Sequence, residues 1–329
     1  MAGVAVNMAD VLQLQDQLRD RLVRTPVVRC PGLEERIGGD IRIYGKLEFL
    51  QHTGTFKARG ALAALSILTD EQLAAGVTAV SAGNHAIAVA YAAQAFGTSA
   101  KVVMIESANL YRAERCRHFG AEIVFGRDAH EAFGLVETIQ SQEGRYFVHP
   151  FEGPDIVMGT ATVGVEICAQ VPEFDAIVIP IGGGGLCAGI SSAVKQLRPE
   201  CEIFGVEPAG ADSMHRSFRS GKPEAIEKVA TIADSLGAPF ALPLSFALCR
   251  DNVDELVLVK DEQLCNAMGV LYRDMKIAVE PACAATTAAL LGPLRERLRG
   301  KSVVLVFCGS NIDWQSFASQ ADLESSNAD

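Results

Sequence analysis

Three things are missing from this 329-residue chain: a Cys-x-x-Cys pair, any cluster of lysine and arginine, and an apolar run approaching the roughly 20 residues of a membrane-spanning helix. The nine cysteines fall singly at 30, 116, 168, 187, 201, 249, 265, 283 and 308, mostly in apolar helical or strand contexts. That spacing argues against a zinc site or a disulfide framework and predicts reduced, buried thiols in a cytoplasmic protein. The formal net charge is −11, whereas nucleic acid or an anionic membrane rewards the clustered cations this chain lacks. The expected partners are therefore small molecules, with neither nucleic acid nor membrane among them. Residues 1–10 carry no basic segment followed by an apolar stretch, so no targeting leader is read there. Any G-x-x-x-x-G-K-[ST] motif is also absent, which removes the Walker phosphate loop.

What is present is apolar patterning. Hydrophobic residues make up 49% of the chain and charged residues 21%, enough for a large core in one or two domains. Val11, Leu14, Leu18 and Leu22 recur at helical spacing ahead of Thr25-Pro26, predicting an opening helix. Short apolar runs follow at 41–47, 77–80, 101–105, 121–125, 146–148, 175–181, 202–206, 255–259 and 302–307, separated by helical stretches. Such alternation predicts an α/β chain with mainly parallel sheet covered on both faces. The four-strand block at 77–148, closed by Pro150-Phe151-Glu152-Gly153-Pro154, favours two lobes. The polar, acidic end at 319–329 lacks apolar periodicity and is read as a disordered tail.

Three motifs carry chemistry. Lys57 follows a Gly/Thr turn and opens an alanine-rich helical segment at 58–68, so its amine sits near a positive helix end. Such a position disfavours further positive charge and frees an amine for nucleophilic work, although a lysine in a first helical turn is more commonly a solvated charge. The run Gly182-Gly183-Gly184-Gly185-Leu186 follows a buried strand and starts a helix to about Leu197, which would present bare N–H groups to a phosphate. A dinucleotide loop is the rival reading, but the spaced G-x-G-x-x-G form is absent, and Cys201-Glu202 only roughly approach the acidic position about 20 residues on. Ser81-Ala82-Gly83-Asn84-His85 lies between a short strand and a helix, where free N–H groups suit a carboxylate. There, Ser81 and Asn84 could equally be caps, and His85 a packed or solvent-facing ring.

Taken together, the chain resembles the pyridoxal-phosphate enzymes of the tryptophan-synthase β-subunit fold (fold type II), in their serine/threonine dehydratase and serine racemase branch. The resemblance is carried, in the family's order, by Gly54-Thr55-Phe56-Lys57-Ala58-Arg59-Gly60, Ser81 to His85, Gly182 to Leu186, Val206-Glu207-Pro208, Thr231-Ile232-Ala233-Asp234, Val279-Glu280-Pro281 and Cys308-Gly309-Ser310-Asn311. It implies two α/β lobes, each a mainly parallel twisted sheet covered by helices, with pyridoxal 5'-phosphate in the cleft between them. The large cofactor-binding lobe would comprise 1–74 and 150–318, and the small lobe 75–149. A homodimer is also implied.

By the same resemblance, Lys57 holds the cofactor covalently and acts as base at the substrate's α-carbon, with Ser81 the second catalytic candidate. Phe56 packs near the ring, Gly182, Gly183, Gly184, Gly185 and Leu186 hold the phosphate, Asn84 meets the ring hydroxyl, Cys308 faces the pyridine nitrogen, and Glu280 is a further cofactor-binding residue. Ser81, Ala82, Gly83, Asn84 and His85 would hold the substrate. The family's metal ligands fall on Glu207, Ala211 and Ser213, where a serine replaces a carboxylate, so a divalent metal is not expected. Gly159-Thr160-Ala161-Thr162 likewise departs from the family's Gly-Gln-Gly-Thr.

The implied activity is dehydration of an L-β-hydroxy amino acid to a 2-oxo acid and ammonia. Ala82 stands where racemases tend to carry a second serine, and a methyl group moves no proton; racemisation of serine or aspartate is the alternative. The segment Asp234-Ser235-Leu236-Gly237-Ala238-Pro239-Phe240 replaces a more polar stretch, suggesting an apolar or roomy pocket suited to threonine or an aryl serine such as phenylserine. A 3-hydroxyaspartate dehydratase would need a cation such as Arg59, Arg112 or Arg127. A non-catalytic amino-acid-binding protein is the remaining reading.

Overall fold

The computed structural model describes residues 6–106 and 108–322. Its ten strands are β1 (Val27–Arg29), β2 (Arg42–Leu47), β3 (Val77–Val80), β4 (Ala100–Ile105), β5 (Glu122–Gly126), β6 (Tyr146–Phe147), β7 (Ala176–Pro180), β8 (Glu202–Pro208), β9 (Glu255–Val259) and β10 (Ser302–Phe307). They form a six-stranded sheet of order β1-β2-β10-β7-β8-β9 and a four-stranded sheet of order β5-β4-β3-β6. β1 and β2 pair antiparallel, and every other pairing between these strands is parallel. The fold class is thus α/β with mainly parallel sheets. Parallel strands are covered on both faces and tolerate unbroken apolar runs; all five residues of β7 are accordingly buried. None of the described helices is long and apolar enough to cross a membrane.

Two expectations about the chain's ends need correction. The opening helix is Met8–Gln17 and stops before Leu18. Beyond it the chain is held sideways: Arg21 Nε donates to Ala95 O at 3.3 Å and Tyr91 Oη to Arg21 O at 2.7 Å. Leu18 is still buried and Leu22 still packs on the same core, so the apolar spacing marked contacts rather than helix length. At the other end, Trp314–Gln320 is helical, Phe317 and Ala321 are buried, and Asp322 N donates to Cys265 O at 3.0 Å. The expected tail at 319–329 therefore begins too early, because Phe317 and Ala321 share a helical period; residues 323–329 lie outside the described residues.

The helix Lys57–Ser66 is buried from Ala58 to Leu65. Its Leu62 and Leu65 join the core around the four-stranded sheet, while its Arg59 pairs with Glu48, just after β2, and with Glu166 of the helix Pro154–Gln170. Arg59 donates to Glu48 and Glu166 at 2.8 Å, and Lys46 of β2 donates to Glu166 at 2.6 Å, with all four side chains at most 4% exposed. Two cations balance two carboxylates there, which is the condition for burying charge at all.

Candidate active site

β2, β10 and β7 are neighbours and run parallel, so their carboxyl ends open on the same side of the sheet. Ligands of open α/β sheets bind outside those ends. The segment after β2 leads to Lys57, β10 is followed by Cys308, and β7 by the glycine run. Backbone bonds from Phe56 N to Cys308 O and from Ser310 N to Gly54 O, both 3.0 Å, fasten the Lys57 turn to the segment after β10. In the four-stranded sheet, β3 ends at Val80, and Ser81-Ala82-Gly83 leads into the helix Asn84–Phe96.

Phe56, Lys57, Asn84, Gly182, Gly183, Gly184, Gly185, Leu186, Glu280 and Cys308 line one cavity. Every position the sequence assigned to a cofactor therefore meets in one place. Ser81, Ala82 and Gly83 are not in that lining. Ser81 Oγ instead accepts the N–H of Gly83 at 3.1 Å, and neither Ser81 nor Asn84 caps the following helix by its side chain. His85 is buried, bonds Val148 O through Nε2 at 2.8 Å, and lines a smaller adjoining cavity with Lys57 and Thr160. Thr160, in the departure from Gly-Gln-Gly-Thr, donates to Gly185 O at 2.8 Å and so braces the glycine run from behind.

Phe151, Pro180, Ser235, Leu236 and Ala282 also line the main cavity. Ser235 and Leu236 fall in the segment expected to shape a pocket; Phe151, across the fold, carried no signal. Asn311 is the residue sequence reasoning missed. Its Nδ2 donates to Thr53 O at 2.8 Å and Asn84 Oδ1 at 2.7 Å, and its N to Glu280 Oε2 at 3.1 Å. Asn84 Nδ2 in turn donates to Glu280 Oε1 at 2.6 Å and Ser235 Oγ at 3.1 Å. This network joins segments distant in the chain, and its only legible trace was Asn311's place in the Cys308-Gly309-Ser310-Asn311 stretch.

The Lys57 amine donates to Pro150 O and lies 5.1 Å from the centre of the Phe56 ring. Its pKa falls from 10.5 to about 8. Burial is the leading cause, with Cys308 and Glu280 pulling the other way. Burial also pushes His85 down to about 3 and His149 down to about 4, leaving both rings neutral. The Cys308 thiol is pushed well up by its contact with Cys283 and by burial, and therefore keeps its proton. Burial raises the carboxyl of Glu280, with Arg112 pulling it back.

The residues present fit a coenzyme with an aldehyde and an anionic tail. Among the described residues, the N–H groups of Gly182, Gly183 and Gly184 have no partner in the chain, which leaves three donors for an anion. A Cβ on Gly183 would strike the Phe151 ring, and Gly184 has φ +95°, a region side chains rarely adopt. The poised amine of Lys57 shares the cavity with those donors. At the implied metal positions Glu207 accepts the N–H groups of Met214 and His215 at 2.9 and 2.6 Å, and Ser213 Oγ donates to Ala238 O at 3.3 Å. Among the described residues there is no group of three or more His, Cys, Asp or Glu placed to hold a metal.

Comparison with known proteins points the same way. The family model described as pyridoxal-phosphate dependent enzyme matches residues 18–309. The chain is 50% identical over 312 residues to a phenylserine dehydratase of Ralstonia pickettii, covering 95% of each chain. It is 38% identical to an L-threonine ammonia-lyase of Thermotoga maritima, covering 94% of this chain and 76% of that one. Among solved structures it is similar to maize serine racemase, with a TM-score of 0.90, 32% identity and 96% of each chain covered.

Proposed function

This chain belongs to the pyridoxal-phosphate dependent enzyme family, and from that premise we propose that it is an ammonia-lyase for an L-3-hydroxy amino acid with a bulky neutral side chain, of the phenylserine type, with threonine and serine as poorer substrates. The products are a 2-oxo acid and ammonia. The observation that carries the reading is one cavity holding the Lys57 amine, the unpartnered N–H groups of the glycine loop and an apolar wall of Phe56, Phe151, Leu186 and Leu236. The 50% identity to a phenylserine dehydratase supports the aryl side chain over smaller ones.

Bound pyridoxal phosphate supplies the electron sink that makes removal of an α-proton feasible. The chain's own residues do the rest. Gly182, Gly183 and Gly184 would hold the phosphate, Asn84 would meet the ring hydroxyl, Phe56 would pack near the ring, and Cys308, which keeps its proton, would offer the pyridine nitrogen an uncharged partner. Lys57, substantially neutral near pH 8, accepts the α-proton. The substrate carboxylate would lie against the turn from Ser81 to His85, of which Asn84 lines the main cavity. Residues 1–74 and 150–318 act as the large lobe and 75–149 as the small one. Nine free cysteines suit a cytoplasmic setting, where we place the enzyme as a homodimer.

The test is kcat/KM of purified holoenzyme for L-threo-phenylserine, L-threonine and L-serine, followed by 2-oxo acid release, with chiral analysis of the remaining amino acid. Phenylserine is expected to lead by about tenfold or more, the scale of a few methylenes' worth of apolar contact. A clear preference for serine removes the aryl reading; D-amino acid without oxo acid replaces the lyase with a racemase.

A further inference from the structure

We propose that the ion pair between Arg112 and Asp234 sets the side-chain selectivity of this site, rejecting anionic side chains and admitting neutral ones. The proposal deepens the lyase reading above and rests on it. Arg112 belongs to the helix Leu110–His118, whereas Asp234 opens the short turn Asp234–Leu236, whose Ser235 and Leu236 line the cavity. The two arms of the guanidinium grip the carboxylate, Nη1 on Oδ2 and Nη2 on Oδ1 at 3.2 Å, and Nε donates to Asn311 O at 3.1 Å. A methyl group built on Gly83 would lie 3.4 Å from Arg112 Nη1, so the guanidinium borders the turn expected to hold the substrate.

The other arginines that could have met an acidic substrate are committed elsewhere. Arg59 is buried against Glu48 and Glu166, and Arg127 is 77% exposed and paired with Glu131. A substrate with a side-chain carboxylate needs a cation that is not already neutralised. The guanidinium beside this turn is held bidentately, and its partner carboxylate adds repulsion, an element built against the wrong ligand. A neutral aryl group meets neither obstacle. The pair is also unequal: the arginine side chain is 9% exposed and the aspartate 58%. Replacing Asp234 therefore disturbs little packing but takes the bidentate partner from a nearly buried cation, leaving Glu280 and Asp313 as the remaining acidic groups acting on it, so that a substrate carboxylate can take the vacated place.

The experiment compares holoenzyme kcat/KM for L-threo-3-hydroxyaspartate and L-threo-phenylserine in the wild type, Asp234→Asn, and the double variant Arg112→Met with Asp234→Asn. Asp234→Asn is expected to raise the hydroxyaspartate-to-phenylserine ratio about tenfold or more, and the double variant to cancel the rise. A merely structural pair would lower both substrates together, so an unchanged ratio, or a rise that survives loss of Arg112, overturns the proposal. Calorimetric titration with succinate, a dicarboxylate without an amine, gives a second readout. Asp234→Asn, or Asp234→Ser if the first is unstable, should bind it about tenfold more tightly than wild type, and equal affinity counts against the pair. Absence of oxo acid from every 3-hydroxy amino acid in the wild type would instead remove the lyase reading, while the succinate titration still decides the role of the pair.

Discussion

Lys57 is the residue whose chemistry depends most on its surroundings. With a pKa of about 8, about a quarter of the amine is neutral at pH 7.5, against about one part in a thousand for an ordinary lysine. Because the folded value lies below the unfolded one, the protonated form costs stability in full below about pH 8, and that cost fades as the pH rises toward the ordinary lysine range. NMR titration of cofactor-free protein carrying 13Cε-lysine, with Lys57 assigned through a Lys57→Arg variant, should place its midpoint near pH 8; a midpoint near 10 would refute burial as the governing cause. The lysine itself was legible from its Gly/Thr turn and alanine-rich helix. Its desolvation was not, since Cys308, Glu280 and Pro150 come from distant parts of the chain.

At the scale of elements, the glycine run after β7 was legible because a buried β-branched strand, four glycines and an apolar helix occur in immediate succession. Sequence supports a phosphate cradle; the fold adds why side chains are excluded. Gly183→Ala forces a methyl group against the Phe151 ring and displaces the loop. Affinity for pyridoxal phosphate should fall at least about tenfold, the value of one displaced charge-assisted hydrogen bond, while unfolding of cofactor-free protein changes less. Titration of the cofactor by absorbance checks this, and unaltered affinity would argue that the phosphate lies elsewhere. The turn at Ser81 to His85 was read less completely, because its Asn84 engages a network built around Asn311 that no local pattern discloses.

The whole molecule is held around a buried set of charges that joins β2, the Lys57 helix and the helix Pro154–Gln170. Truncating Glu166 to alanine strands Lys46 and part of Arg59 without a counter-ion in the interior. A loss of about 3–5 kcal/mol in unfolding free energy is expected, readable as a lower denaturant midpoint for the cofactor-free protein. A change under about 1 kcal/mol would mean that water or a rearranged partner satisfies the cations. Nothing in the sequence distinguished Arg59 from the other arginines as a buried ion, because burial of a charge is decided by where its partners arrive.

By itself the sequence determined the alternation of strands and helices and the mainly parallel sheets, since these depend on local apolar period, glycine and helix ends, whereas the residues read as holding a coenzyme came from resemblance to a family. The tertiary structure alone decided that Phe151 closes over the glycine run, that Asn311 ties Asn84 to Glu280, and that Arg112 meets Asp234 across the cleft. Each joins residues far apart in the chain, and such contacts are set by how strand ends converge on a shared cavity rather than by any pattern a window of sequence contains.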